Sequence, residues 1–121
     1  MRSLPFVLFS PRGRINRREY WLLGWLPLLA VSSGLALLAS AVTSSAGQWS
    51  RLVTVLVVLG AFALLYYCGV VILIKRWHDL DRSGAWTFLC FIPLVGAIIG
   101  LVLGLWPGAN GPNRHDINPK L

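Results

Sequence analysis

Three long stretches of the chain carry no Asp, Glu, Lys, Arg or His residue: 20–42, 52–74 and 87–106. At about 1.5 Å rise per residue, each is long enough to cross the roughly 30 Å hydrocarbon layer of a membrane as a helix. Apolar residues cover every face of these stretches, without the alternation that a membrane strand needs. The pattern predicts an all-α integral membrane protein with three transmembrane helices and a basic interfacial N-terminal segment.

The polar residues divide this single membrane domain, residues 1–121, into segments. The predicted segments are a basic cytoplasmic or interfacial part at 1–19, helices at 20–42, 52–74 and 87–106, a cytoplasmic polar loop at 75–86 and a Pro/Gly/Asn-rich tail at 107–121. Asn16 and Glu19 have the spacing of an N-cap and its capping-box partner, so the first helix is predicted to begin there. Trp86 and Trp106 frame the third helix, which places one indole in each interfacial belt.

Composition agrees with a membrane location. The chain is 56% hydrophobic and 12% charged, with a mean hydropathy of +0.69, whereas an average soluble domain is about one quarter charged. The formal net charge is +7, and the Lys and Arg residues are concentrated in the 1–19 segment and the 75–86 loop. The positive-inside rule therefore predicts that these two segments are cytoplasmic, and that the first loop and the C-terminal tail lie on the opposite side of the membrane.

Clustered arginines follow an apolar, aromatic stretch near the N-terminus. Arginine can bind a phosphate with two parallel hydrogen bonds, and each basic residue near an anionic membrane surface contributes about 1 kcal/mol. The alternative is that these charges only determine topology. Nucleic acid is not expected as a partner, because no nucleic-acid-binding module is present. The candidate residues for binding anionic lipid headgroups or a protein partner are Arg12, Arg14, Arg17, Arg18 and Arg76.

The densest polar stretch follows the second predicted helix. It contains His78, Asp79, Asp81 and Arg82, which form a candidate polar site. His78 and Asp81 could share a helix face and hold a metal, but a metal site needs three or four ligands and the sequence offers too few. We therefore expect the aspartates to pair with the N-terminal arginines, or to cap the third helix together with Ser83. No catalytic residue, metal site or cofactor is assigned.

Gly96, Gly100 and Gly104 recur at four-residue spacing in the third predicted helix. This spacing lines small residues along one face and favours close helix packing, against another helix of the chain or against a second copy in a homo-oligomer. Pro27 and Pro93 each remove a helical hydrogen bond and predict kinks.

Three clusters of residues together resemble the domain-of-unknown-function 805 family of small bacterial inner-membrane proteins. The first runs from Gly13 to Trp21, the second from Lys75 to Trp86 and the third from Pro107 to Arg114. The sequence departs from the family pattern at Trp77, Ala85 and His115-Asp116. The resemblance covers nearly the whole chain and implies a membrane protein without assigned chemistry.

Two hypotheses follow from these features. The first is a non-enzymatic membrane component that uses the arginine-rich cytoplasmic platform. The second is a transporter or membrane enzyme for a lipid-linked or small substrate, with His78, Asp79 and Asp81 as its polar groups, although the predicted helices hold no ionisable residue. If all three clusters form one site, the third helix must re-enter the membrane instead of crossing it.

Overall fold

The structure is a computed structural model that describes residues 3–45, 47–108, 111–112 and 115. Its main body is a hairpin of two long helices, α2 (Arg17–Ser45, 29 residues) and α3 (Gln48–Asp79, 32 residues), which are connected across residues 46–47 and pack against each other. Both helices are long and apolar enough to cross a membrane. A short helix, α1 (Leu4–Phe9), precedes them and packs on α3.

The start of α2 is the predicted capping box. Asn16 Oδ1 accepts the backbone N–H of Glu19 at 2.8 Å, and a Glu19 carboxylate oxygen accepts the backbone N–H of Asn16 at 3.1 Å. Residues 20–25 are π-helical, and the helix becomes regular at Leu26. Pro27 lacks an N–H and crowds the carbonyl four residues before it, so the wider π turn is where the distortion predicted at this proline is accommodated.

The polar loop expected at 75–86 is shorter than predicted. Helix α3 continues through this polar stretch to Asp79, and the chain turns at Leu80 and Asp81 before a 3-10 helix begins at Gly84. At about 1.5 Å per residue, α3 is roughly 48 Å long, so it extends well beyond a 30 Å hydrocarbon layer. Helix α3 can therefore carry polar side chains beyond the apolar layer. A prediction that ends the helix at its last charge-free residue assigns these polar positions to a loop instead.

The prediction of a single helix at 87–106 is wrong. The structure has a 3-10 helix at Gly84–Phe91, a turn, and helix α4 at Val95–Leu105. Pro93 cannot donate a helical hydrogen bond, and Leu94 has a left-handed backbone with φ of 67°, so the helix cannot continue through them. The turn closes on itself, because Gly96 N–H donates to Ile92 O at 2.7 Å and Val95 N–H donates to Pro93 O at 2.8 Å.

Residues 84–105, which we call the return segment, start and finish beside the same end of α3. At its start, Gly84 lies against Ile74 and His78. At its finish, Arg76 donates to the carbonyl of Trp106 at 2.5 Å. Trp86 and Trp106 therefore lie at the same end of the hairpin, whereas the single helix expected at 87–106 would place the two indoles at opposite ends. We call this end of the hairpin, where α2 begins and α3 ends, the polar end.

The described residues form an all-helical protein, with two helices of membrane-crossing length and a third, short apolar helix in α4. The core lies in the half of the hairpin near the polar end, where α1, α2 and α3 meet. Its buried apolar residues are Val7, Ile15, Tyr20, Leu28, Cys68 and Ile72. The opposite half of the hairpin exposes large apolar side chains such as Leu37 and Leu56, as lipid contact requires.

Candidate functional site

An ion cluster is buried at the polar end. Asp79, in the last turn of α3, accepts two hydrogen bonds from Arg14 on one carboxylate oxygen, at 3.1 Å from Nε and 2.9 Å from Nη2. Its other oxygen pairs with Nη1 of Arg76, one turn earlier on α3. Both arginines are 0% exposed and Asp79 is 4% exposed. The predicted pairing of Asp79 with an N-terminal arginine is thus present, and Arg14, Arg76 and Asp79 form what we call the buried ion cluster.

Arg76 also holds the end of the return segment. Its Nε donates to the carbonyl of Leu103 at 2.7 Å and its Nη2 to that of Trp106, both at the C-terminal end of α4. Helix C-termini expose unpaired carbonyls and carry partial negative charge, so a cation there both satisfies and stabilises them. Nη1 reaches the carbonyl of Ile15 at 3.4 Å. One guanidinium therefore connects α3, α4 and the chain that leads into α2.

The tail closes the cluster from the other side. Arg14 Nη1 donates to the carbonyl of Gly111 at 2.9 Å, and the backbone at Gly108 lies so close to Asp79 that an added Cβ would overlap its carboxylate. Glycine at this position lets the chain approach the carboxylate directly. Tail residues 109–110, 113–114 and 116–121, which include the Asn113-Arg114 motif and Asp116, lie outside the described residues.

The charge of the cluster is balanced by backbone dipoles. Two guanidiniums face one carboxylate, and four backbone carbonyls accept the remaining hydrogen bonds that the structure describes; these carbonyls belong to Ile15, Leu103, Trp106 and Gly111. Buried charges are tolerated when they are paired and hydrogen-bonded in this way. The cluster therefore binds parts of the chain to one another.

Two histidines lie beside the cluster. The imidazole of His78 stacks on that of His115, with 3.9 Å between ring centroids and 6° between planes. Nδ1 of His78 lies 3.1 Å from the carbonyl of Gly13, and since a carbonyl only accepts, Nδ1 is the donor. This contact thus joins one residue from each of the first two sequence clusters to His115, which follows the third. The described residues contain no group of three or more potential metal ligands.

Lys75 is a further buried cation and is not one of the candidate residues predicted from the sequence. It is 0% exposed. Its ammonium donates to the carbonyl of Phe6 and lies 3.6 Å from the centroid of the Phe6 ring. The end of α1 therefore covers this cation with its carbonyls and an aromatic face. Helical spacing from Ile72, which is also buried, is the signal that could have placed Lys75 on the inner face of α3.

The remaining candidate arginines lie on the outside. Arg12, Arg17 and Arg18, which we call the outer arginines, are exposed, as are Asp81 and Arg82 in the turn after α3. Arg17 donates to the carbonyl of Leu105 at 3.3 Å and keeps an exposed guanidinium. Asp81 adopts a left-handed backbone with φ of 56°. Ser83 caps the 3-10 helix by accepting the N–H of Ala85 at 3.3 Å.

The glycine stripe of α4 faces the rest of the chain. Gly104 lies directly under the indole of Trp21, Gly100 lies near the hydroxyl of Tyr20, and Gly96 lies on the backbone of Cys90. Tyr20 donates to the Gly100 carbonyl at 2.8 Å, and Trp21 to the Gly104 carbonyl at 3.2 Å. Without a Cβ at Gly104, the first turns of α2 can approach the α4 backbone, which leaves these carbonyls within reach.

These features define a helical membrane protein in which an interior ion cluster joins the two chain ends. Residues 8–117 match the family described as Protein of unknown function (DUF805), and the chain belongs to this family. It is 30% identical over 115 residues to the Inner membrane protein YhaI of Escherichia coli K12, covering 95% of this chain and 88% of that one. It is 29% identical to the Inner membrane protein YhaH of the same strain, covering 91% and 87% of the two chains. It is also 32% identical to the Uncharacterized protein YiiR, covering 86% and 66%. No solved structure matches the chain.

Proposed function

We propose that this protein is a non-enzymatic membrane component that binds anionic phospholipid headgroups through the outer arginines, Arg12, Arg17 and Arg18. The observation that carries the proposal is the division among the arginines. Arg14 and Arg76 are fully buried and paired with Asp79, so they are no longer candidates for headgroup contact. The outer arginines are exposed around the same end, where their guanidiniums can meet phosphate.

The proposed orientation has the polar end in the cytoplasm. It is supported by charge, because seven of the eight Lys and Arg residues that the structure describes lie at the polar end, and Arg51 lies at the other. By the positive-inside rule, this asymmetry favours a cytoplasmic polar end. In the proposed orientation, the N-terminal arm and the described part of the tail lie on that side. In this orientation the tail is cytoplasmic, whereas three membrane crossings would leave it outside.

The return segment then enters and leaves the membrane from the cytoplasmic side. Its 3-10 helix Gly84–Phe91 and helix α4 Val95–Leu105 are each about 16 Å long at roughly 2.0 and 1.5 Å per residue. Each therefore reaches about halfway through a hydrocarbon layer of roughly 30 Å. The hydrogen bonds within the Ile92–Gly96 turn support this placement, since backbone groups at membrane depth must be satisfied within the protein.

Reconstituted vesicles test the headgroup site. Spin-labelled phosphatidylglycerol and phosphatidylcholine are compared in vesicles that contain the wild type or the Arg12→Gln, Arg17→Gln, Arg18→Gln triple variant. We expect preferential immobilisation of phosphatidylglycerol by the wild type, and a preference lowered about five-fold for each arginine lost, since each contributes about 1 kcal/mol near an anionic surface. Arg51→Gln is the matched control and should leave the preference unchanged. An equal preference in the triple variant and the wild type would sink the proposal.

The convergence of the three sequence clusters also favours a second candidate, transport or catalysis on a lipid-linked or small substrate. The stacked pair of His78 and His115 beside Gly13 supports it, because imidazoles are suited to proton transfer. A His78→Ala variant tests this candidate in a strain whose growth depends on the protein. Loss of growth with normal protein levels would support this candidate, and unchanged growth would count against it. A homo-oligomer and a membrane-protein partner stay predictions.

A further inference from the structure

A cavity lies between α3 and the return segment. Its volume is about 310 Å³, at the lower end of the roughly 300–1,000 Å³ of ligand sites. Gly69, Val70 and Leu73 of α3 form one wall, and Thr87, Cys90 and Ala97 are among the residues of the return segment that face them. Among the described residues, no Asp, Glu, Lys, Arg or His lines it, so these residues offer a charged ligand group no counterion.

One polar hydrogen at this cavity has no partner among the described residues. Thr87 lines the cavity, is 4% exposed, and its hydroxyl makes no hydrogen bond. The indole N–H of Trp77 is buried nearby, but it faces the sulfur of Cys90, and Trp77 is not among the residues that line the cavity. One donor is thus available in a largely apolar space.

The hydroxyl of Thr87 differs from those of the hairpin. Seven Ser and Thr hydroxyls of α2 and α3 donate to a backbone carbonyl three or four residues before them, which satisfies them within their own helix; these are Ser32, Ser33, Ser40, Thr43, Ser44, Ser45 and Thr54. Buried polar groups are nearly always hydrogen-bonded. An unpaired hydroxyl that lines a cavity indicates that the cavity's occupant supplies the acceptor.

We propose that this cavity binds one acyl chain of a membrane glycerophospholipid, with the ester carbonyl accepting the hydrogen bond of Thr87. A neutral ester has acceptors and no donors, which matches the one free donor, and its hydrocarbon chain matches the apolar wall. A fatty acid carboxylate fits less well because the cavity lacks a cation. The inference rests on the proposed function for the headgroup and adds the part of the lipid below it.

The depth of the cavity agrees with this occupant. Leu73 and Gly69 are six and ten residues from Asp79 along α3, which is about 9 and 15 Å at roughly 1.5 Å per residue. If the polar end lies at headgroup level, the cavity therefore lies at the level of the ester linkages and the first part of the acyl chains. A lipid whose phosphate meets the outer arginines can reach the cavity with its chain.

Photo-crosslinking in reconstituted vesicles tests the inference. The probes are phosphatidylglycerol with a diazirine near the start of one chain, the same lipid with ether in place of ester linkages, and the ester-linked phosphatidylcholine analogue. Mass spectrometry then locates the label on the peptides that contain residues 69–73 and 87–97. We expect the ester probe to label these peptides about five-fold more than the ether probe, the typical effect of one hydrogen bond. Equal labelling by ester and ether probes in the wild type would overturn the proposal without any variant.

Two substitutions with matched controls sharpen the test. Thr87→Val keeps the shape and removes the hydroxyl, and should reduce the ester preference; Thr54→Val, whose hydroxyl is bonded within α3, should not. Val70→Phe fills the cavity and should abolish its labelling; Val57→Phe, at an exposed position, should not. Labelling that survives Val70→Phe would contradict the proposal. The headgroup site fails separately, if phosphatidylcholine and phosphatidylglycerol probes label equally while the ester preference persists.

Discussion

The buried and the outer arginines are neighbours in sequence and opposite in environment. Arg14 lies three residues before Arg17, yet Arg14 is 0% exposed and bonded to Asp79, while Arg17 and Arg18 are exposed. The same residue type therefore serves two purposes at one end of the molecule. The buried arginines, Arg14 and Arg76, bind the N-terminal arm, α3, α4 and the tail together. The outer arginines give this end its accessible positive charge. Only accessible charge can bind a partner without unfolding the protein.

The largest expected effect on stability comes from removing the carboxylate that the buried arginines, Arg14 and Arg76, share. Asp79→Asn leaves two buried guanidiniums without a counterion, and breaking a buried pair typically costs about 3–5 kcal/mol. We expect a loss of this size in the free energy of unfolding, measured by denaturant titration in detergent with circular dichroism. Asp81→Asn, at an exposed turn position with a left-handed backbone that Asn tolerates, is the control and should change stability by less than about 0.5 kcal/mol. Equal effects would mean that the cluster does not hold the chain together.

The next effect concerns the contact of the tail with the cluster. Gly108→Ala would place a methyl group on the Asp79 carboxylate, and such overpacking costs about 1–3 kcal/mol. Gly60→Ala is the control, because an added Cβ there meets no atom within 4 Å. Thermal unfolding in detergent should show destabilisation by the first change and not by the second. If Gly108→Ala is neutral, the tail does not dock on Asp79.

A smaller effect is expected where the chain passes from the buried to the outer arginines. Asn16 lies between Arg14 and Arg17 and caps α2. Asn16→Ala should cost about 1 kcal/mol, as N-cap deletions do, measured by the same unfolding experiment. Ser3 precedes α1 without a side-chain capping bond, so Ser3→Ala should have little effect. Equal losses would show that the Asn16 side chain does not stabilise the start of α2.

The smallest effect on stability belongs to the outer arginines themselves. Changing Arg12, Arg17 or Arg18 singly to Gln should alter the free energy of unfolding by no more than about 0.5 kcal/mol, the usual range for surface positions. Arg14→Gln is the matched comparison, because it removes hydrogen bonds to the buried carboxylate of Asp79. It should lower the free energy of unfolding several times more than the changes at the outer arginines. A similar cost at Arg14 and Arg18 would remove the distinction between the two groups.

Much of this architecture follows from the sequence. Charge-free stretches at 20–42 and 52–74 predict the two helices of the hairpin, because a helix in lipid must be apolar over about 20 residues. The Asn16–Glu19 spacing predicts the capping box, and charge complementarity predicts the pairing of Asp79 with an N-terminal arginine. These features depend on local pattern and on a simple rule of electrostatics, so they could be derived without coordinates.

The reversal of the return segment could not be derived in the same way. The hydropathy of residues 87–106 shows that this segment is apolar. It does not show whether the segment crosses the membrane or turns back. Pro93 is compatible with a kink as well as with a turn, and the left-handed backbone of Leu94 is not a conformation that leucine favours. The burial of Arg14 and Arg76 likewise depends on the reversal, because carbonyls at the end of α4 and in the tail are what surround them.

The position of the tail relative to the membrane tests the reversal most directly. In a background with Cys68→Ala and Cys90→Ala, single cysteines are introduced at Arg82 in the polar end, at Pro112 in the tail and at Gln48 at the opposite end of the hairpin, all exposed positions. A membrane-impermeant maleimide is then applied to intact and to permeabilised cells. We predict that Pro112→Cys and Arg82→Cys react only after permeabilisation and that Gln48→Cys reacts in intact cells. Reaction of Pro112→Cys in intact cells together with Gln48→Cys would contradict a segment that returns to the side where it began.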